Sequence, residues 1–224
     1  MRSEDLITSL AQDLGAVRPL PSPARLLAVW LGVSVPVLAA ITLMMGPRPD
    51  LAGKCGEAGF VISQGLGVVT AVVSAYAAFC AGRPDQPGWK LWAPMLAMLV
   101  WLGDLGRQCA VVSLQDAGGV LRLQLDPMCV PAIVIAGVIP AGLIVALMRR
   151  SATFRRDHAC LCGALAAGAA ADVALRLFHG SVNIATLLLW QMGSVMLFTS
   201  TAWFISSTIL RNVARAPRRR QLAG

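Results

Sequence analysis

Six stretches of this chain are long and almost uniformly apolar: 25–45, 60–81, 89–105, 128–148, 160–178 and 184–210. Most reach the roughly 20 residues a helix needs to cross about 30 Å of hydrocarbon, and the third is the shortest. Lipid offers no hydrogen-bond partner to an open sheet edge, so such runs must satisfy their backbone internally, as helices. The short alternating segments of a β-barrel are absent. The sequence therefore predicts an all-α polytopic membrane protein, a bundle of six transmembrane helices. Only 13% of the 224 residues are charged, about half the share usual in soluble domains, which agrees with lipid as the solvent of the fold.

The net charge of +8 could point to nucleic acid, but the positions of the basic residues argue for membrane orientation instead. With both termini in the cytoplasm, 14 of the 19 Lys and Arg residues fall on that side: Arg2, Arg18, Arg25, Arg83, Lys90, Arg149, Arg150, Arg155, Arg156, Arg211, Arg215, Arg218, Arg219 and Arg220. Arg48, Lys54, Arg107, Arg122 and Arg176 lie outside or near the outer ends. This positive-inside bias agrees with an even number of spans. No direct contact with nucleic acid is expected. The segment before the first span does not read as a cleaved signal, because it is long and carries Glu4, Asp5 and Asp13.

The expected organisation is a cytoplasmic segment 1–24, a transmembrane domain 25–210 and a basic cytoplasmic tail 211–224. The tail serves as a stop-transfer anchor or touches anionic lipid. Connections range from about five residues at 179–183 to about 22 at 106–127, counted on spans of membrane length. Pro36, Pro94, Pro131 and Pro140 are candidate kinks, but they form no matched pair in two halves, so the broken-helix site of transporters is not supported.

Catalytic chemistry has little to work with. The two histidines, His158 and His179, flank the fifth span and so lie on the order of 30 Å apart along a helix. No HExxH, G-x-S-x-G or phosphate loop occurs, so no enzyme activity, cofactor or confident metal site is expected. Asp172 and Arg176 sit four apart in the fifth span and are expected to form an intramembrane ion pair, structural or functional. Asp104 lies toward the outer end of the third. Cys55, Cys109 and Cys129 fall toward the outer face, where disulfides persist, and Cys80, Cys160 and Cys162 toward the inner face. Three outer thiols allow one pair and one left over, compatible with a redox or soft-metal sensor, though Cys is also an ordinary small helix residue.

The opening stretch "SEDLITSLAQDL" is too polar to insert and too short to be a domain. Ser3 is a good N-cap, Glu4 and Asp5 suit the positive end of a helix, and Gly15 and Pro19 stop it. Leu6, Ile7, Leu10, Ala11 and Leu14 then form one apolar stripe. A helix of about 12 residues is marginal alone in water, which suits ordering on a partner's groove. Membrane-surface helices usually present Lys and Arg; this one presents acids, which anionic lipid repels.

Three stretches, in this order, carry a resemblance: "EDLITSLAQDLGAVRPL" at the start, "GPRPDL" after the first span, and "ALRLFHG" followed by "LLLWQMGSV". With six spans and short loops they resemble the NrsF family, negative regulators of sigma F, across essentially the whole chain. The resemblance implies an anti-sigma factor that holds an extracytoplasmic-function (ECF) sigma factor inactive at the inner membrane and releases it under heavy-metal or oxidative stress. It implies sigma-factor binding by the N-terminal segment, and the apolar stripe and acidic face read above make Asp5, Leu6, Ile7, Leu10 and Leu14 the expected contacts. Thiol-sensing members carry one Cys near the start of the fourth span and another after the "FH" of the fifth. Cys129 matches the first position, but Gly180 occupies the second, so a two-thiol switch of that pair is not available. That leaves Cys129 with His179 as a soft-metal or redox pair, or a different signal. The rival classes are a small multi-pass transporter and a membrane thiol oxidoreductase, the latter disfavoured by the lack of C-x-x-C.

Overall fold

The computed structural model describes residues 20–115, 129–149, 155–180 and 187–204, except 202. Every element among them is helical. Five helices are long and apolar enough to cross a membrane: α1 (Pro23–Met45), α2 (Ala58–Ala81), α3 (Ala93–Gln115), α4 (Cys129–Met148) and α5 (Arg156–Phe178). The sixth expected span is described only over 187–204, where a π-helical turn at Leu187–Met192 leads into a helical run from 193. Its bounds, the N-terminal helix and the basic tail lie outside the described residues.

The helices alternate in direction. Arg155 donates its backbone N–H to Ala81 O, joining the start of α5 to the end of α2, and Arg48 donates to Leu177 O, joining the end of α1 to the end of α5. The bundle therefore has a near end, where α1 begins, and a far end, where α1 finishes.

α1 starts where Ser22 Oγ accepts from Arg25 N, 3.3 Å away, with Pro23 in the first turn, where a missing N–H costs nothing. It ends at Gly46, whose φ of +83° is a conformation that side chains resist. Of the four candidate kinks, Pro36 and Pro140 lie inside helices, whereas Pro94 and Pro131 fall in the first turns of α3 and α4. Trp30, buried on α1, donates its indole N–H to Pro140 O on α4 at 3.0 Å, a polar tie at membrane depth.

α5 is the most enclosed span. Its buried residues are largely Ala and Gly, and α2 buries small residues too, Gly67, Ala71, Ser74, Ala75 and Ala78 among them, with Gly67 against Val173 and Ala78 against Gly163. Lipid gives helices no hydrophobic reason to associate, so small residues that let backbones close up supply the packing. Valines and leucines point outward from α1, α3 and α4, among them Val29, Val33, Leu96, Leu99, Ile135 and Val138. Trp89 and Trp92 are exposed at the near end, beside Lys90 in the 3-10 turn Gly88–Leu91 that precedes α3; such residues suit a lipid–water interface.

The third span departs from expectation. It was expected to end near residue 105 and to be followed by a long loop, but α3 runs on to Gln115. The charged residues that mark an end in the sequence satisfy one another on the helix: Arg107 pairs with Asp104 at 3.0 Å, and Gln108 donates to Asp104 at 2.7 Å and to Gly59 O at 3.1 Å. Internal partners let a helix continue through polar residues that bare hydropathy treats as a boundary.

Candidate functional site

The far end holds a polar cluster built by two distant stretches. In "GPRPDL", Pro47 and Pro49 fix the backbone on either side of Arg48, which forms a bidentate pair with Asp50 at 2.6 and 2.7 Å. The Arg48 N–H meets Leu177 O at 3.0 Å, so this loop is latched onto "ALRLFHG" at the end of α5. Arg176, in the same stretch, is buried; its Nη1 donates to Ser63 Oγ on α2 at 2.7 Å and its guanidinium lies 5.5 Å from the Phe60 ring. Trp101 on α3 donates to the same Ser63 Oγ at 3.3 Å. Gln64 donates to Val173 O at 3.2 Å. One serine thus joins α2, α3 and α5. Lys54 and Glu57 pair on the surface, where such contacts contribute little.

The Arg48–Asp50 pair sets a pH dependence. The hydrogen bond from Arg48 holds the Asp50 carboxyl below its ordinary value of 3.8 and holds the Arg48 guanidinium above its own. A lowered carboxylate pKa gives stability that is present above 3.8 and is lost as pH falls through the lower, folded value. Stability followed by circular dichroism should therefore fall somewhat less steeply with acid below pH 3.8 in Asp50→Asn than in wild type.

The expected Asp172–Arg176 ion pair is not formed as a contact. Both residues are buried one turn apart on α5, but Arg176 turns to Ser63, and neither carboxylate oxygen of Asp172 has a hydrogen-bond partner. The hydroxyl and ring on α2 offer the guanidinium a desolvated, two-sided seat that spacing along α5 does not reveal.

The topology puts Cys129, at the start of α4, and His179, just past α5, at the same far end. The Cys129 side chain lies outside the described residues; the His179 backbone N–H donates to Leu175 O at 2.7 Å. Cys55 is exposed and Cys109 half-buried, both as free thiols. No group of three His, Cys, Asp or Glu side chains that could hold a metal occurs among the described residues.

At the near end, Arg83 follows α2 and donates Nη2 to Leu20 O at 3.1 Å and to Pro21 O. Its backbone N–H meets Cys80 O at 3.1 Å. Leu20 and Pro21 lie in the membrane-proximal part of the expected 1–24 segment, whose Asp5, Leu6, Ile7, Leu10 and Leu14 lie outside the described residues. Arg83 therefore ties the root of that segment to α2, whose end is in turn bonded to the start of α5.

Ser63, Arg48, Asp50, Trp101 and Arg83 are absent from the sequence-based candidates. The stripe Ser63, Gly67, Thr70 and Ser74, at helical spacing on α2, was legible as a small polar face; its partners on other helices were not.

The family model described as NrsF, negative regulator of sigma F, matches residues 10–212. No curated protein and no solved structure gave a match. The match takes in both far-end stretches, the Arg83 tie and most of the N-terminal apolar stripe, and with most of the chain covered, this protein belongs to the NrsF family of negative regulators of sigma F.

Proposed function

We propose that this anti-sigma factor sequesters an ECF sigma factor at the bacterial inner membrane and releases it under heavy-metal or oxidative stress. Both termini are cytoplasmic, and the partner is held by the N-terminal segment through Asp5, Leu6, Ile7, Leu10 and Leu14. The observation that carries this reading is the Arg83 contact with Leu20 and Pro21, which fixes the root of that segment to the bundle. Arg25, Arg83, Lys90, Arg149, Arg155 and Arg156 gather at the same near end, which supports its placement on the cytoplasmic side. An acidic, apolar-striped helix suits the basic surface of a DNA-binding partner.

Deleting residues 2–16 is the direct test. Co-expressed sigma factor should pellet with wild-type membranes and stay soluble with the truncated chain. Retention by the truncated chain would sink the reading; a transporter predicts that the deletion leaves function intact.

Sensing is placed at the far end, on Cys129 with His179. A Cys129→Ser chain is expected to hold the sigma factor normally but to lose its release on cadmium or peroxide, read from a sigma-dependent reporter. An unchanged response to both agents moves the sensor elsewhere.

A further inference from the structure

Asp172 is a carboxylic acid with no hydrogen-bond donor seated on it, and the one cation close to it in the span, Arg176, acts on it through space rather than by contact. It is fully buried in a span, and neither oxygen has a hydrogen-bond partner. Arg176, one turn along the same helix, has the ideal spacing for a pair but is engaged by Ser63 Oγ at 2.7 Å and the Phe60 ring at 5.5 Å. An isolated carboxylate is far costlier to bury than the neutral acid. The charges acting on this pair are few: Arg48 from the loop after α1 and Asp104 from α3 face Arg176. α2 contributes Ser63 and Gln64 here, neither titratable, and its Tyr76 and Cys80 lie toward the near end. α1 beyond Arg25, α4 from Pro131 to Met148, and the described residues 187–204 carry no titratable side chain at all.

We propose that Asp172 is a proton-binding site in the core of the bundle. The carboxyl holds its proton while Arg176 is seated on Ser63 and Phe60. When the O–H bond breaks, the proton passes to water, the electron pair stays on the carboxylate, and Arg176 swings back along α5 to match the new charge. Ser63 then keeps only the Trp101 donor, and the far ends of α2 and α5 lose a joint, while their near ends stay bonded through Arg155 N–H and Ala81 O. α2 is the helix whose near end holds Leu20 and Pro21, so the protonation state of Asp172 reaches the root of the N-terminal segment. This last step rests on the sigma-binding role proposed above; the proton site does not.

The test is infrared spectroscopy of the full-length protein in lipid nanodiscs, titrated from acid to alkaline pH. Wild type should show the carbonyl stretch of a protonated carboxylic acid at neutral pH, shifted in heavy water, decaying as pH rises, and missing from Asp172→Asn. Asp172→Glu, which keeps the acid, should move the band rather than abolish it, and serves if the Asn variant does not fold. Arg176→Gln, which removes the counter-charge, should retain the band to higher pH than wild type. Spectra of wild type and both Asp172 variants that agree throughout this region overturn the proposal, as does a carboxylate already ionised in acid. Sigma-factor retention by the same nanodiscs is a separate readout, so its failure would count against the N-terminal assignment and leave the infrared result standing.

Discussion

A chain carrying Leu6→Glu and Leu10→Glu is expected to sit in the membrane at wild-type level and to retain no sigma factor. The two leucines are four residues apart in the apolar pattern of the N-terminal segment, the spacing of one helical turn. Full burial of a leucine is worth about 1.5–3 kcal/mol. Losing two, and forcing two carboxylates toward the same groove, should weaken binding by at least about 3 kcal/mol, or more than a hundredfold. The control is Ser9→Glu, off the stripe, which should bind normally. Co-purification from detergent-solubilised membranes reads the result, and retention of the sigma factor by the double variant would be fatal to the assignment. Wild-type membrane levels of the double variant would show that the substitutions act on the partner and leave the fold alone.

The second large effect is expected inside the bundle, at Gly67→Leu. A Cβ built at Gly67 would lie 2.7 Å from Val173 Cγ2 and 2.9 Å from Trp101 Cζ2, closer than real Cβ contacts come. Trp101 has little room to give, and α5 is held close beside it. Trp101 is fully buried and its indole is bonded to Ser63; Val173 sits on α5 with its carbonyl held by Gln64. Forcing extra methylenes into such a site typically costs about 1–3 kcal/mol, so Gly67→Ala should already lower the unfolding midpoint in mixed detergent. Gly67→Leu should fail to accumulate in membranes. Gly103→Ala is the matched control, since a Cβ there meets nothing within 4 Å. Normal accumulation of Gly67→Leu would mean that α2, α3 and α5 do not meet as closely as described.

Much of this protein was legible in one dimension. Long apolar runs predict helices wherever lipid leaves the backbone no other partner, and α1, α2, α4 and α5 fall within a few residues of the runs that predicted them. The error in α3 has a physical cause: hydropathy counts Asp104, Arg107 and Gln108 as polar, but on the folded helix they pair with one another and with Gly59. The site was less legible. The stretches "GPRPDL" and "ALRLFHG" could be singled out, but not that the backbone of one bonds the backbone of the other.

The sequence by itself determined the helical architecture, the order of spans, the basic bias toward one end and the family, because these follow from local hydrophobicity, local charge and ordered motifs. Only the tertiary structure decided who partners whom. Spacing offers Asp172 as the partner of Arg176, whereas the fold gives it Ser63, 113 residues away in the chain. Trp30 finds Pro140 across 110 residues, and Arg83 finds Leu20 across 63. A polar group buried in a membrane bundle takes whichever partner helix packing brings within about 3 Å, and that packing is set by glycine and alanine seams such as Gly67 on α2, whose complement lies on other helices.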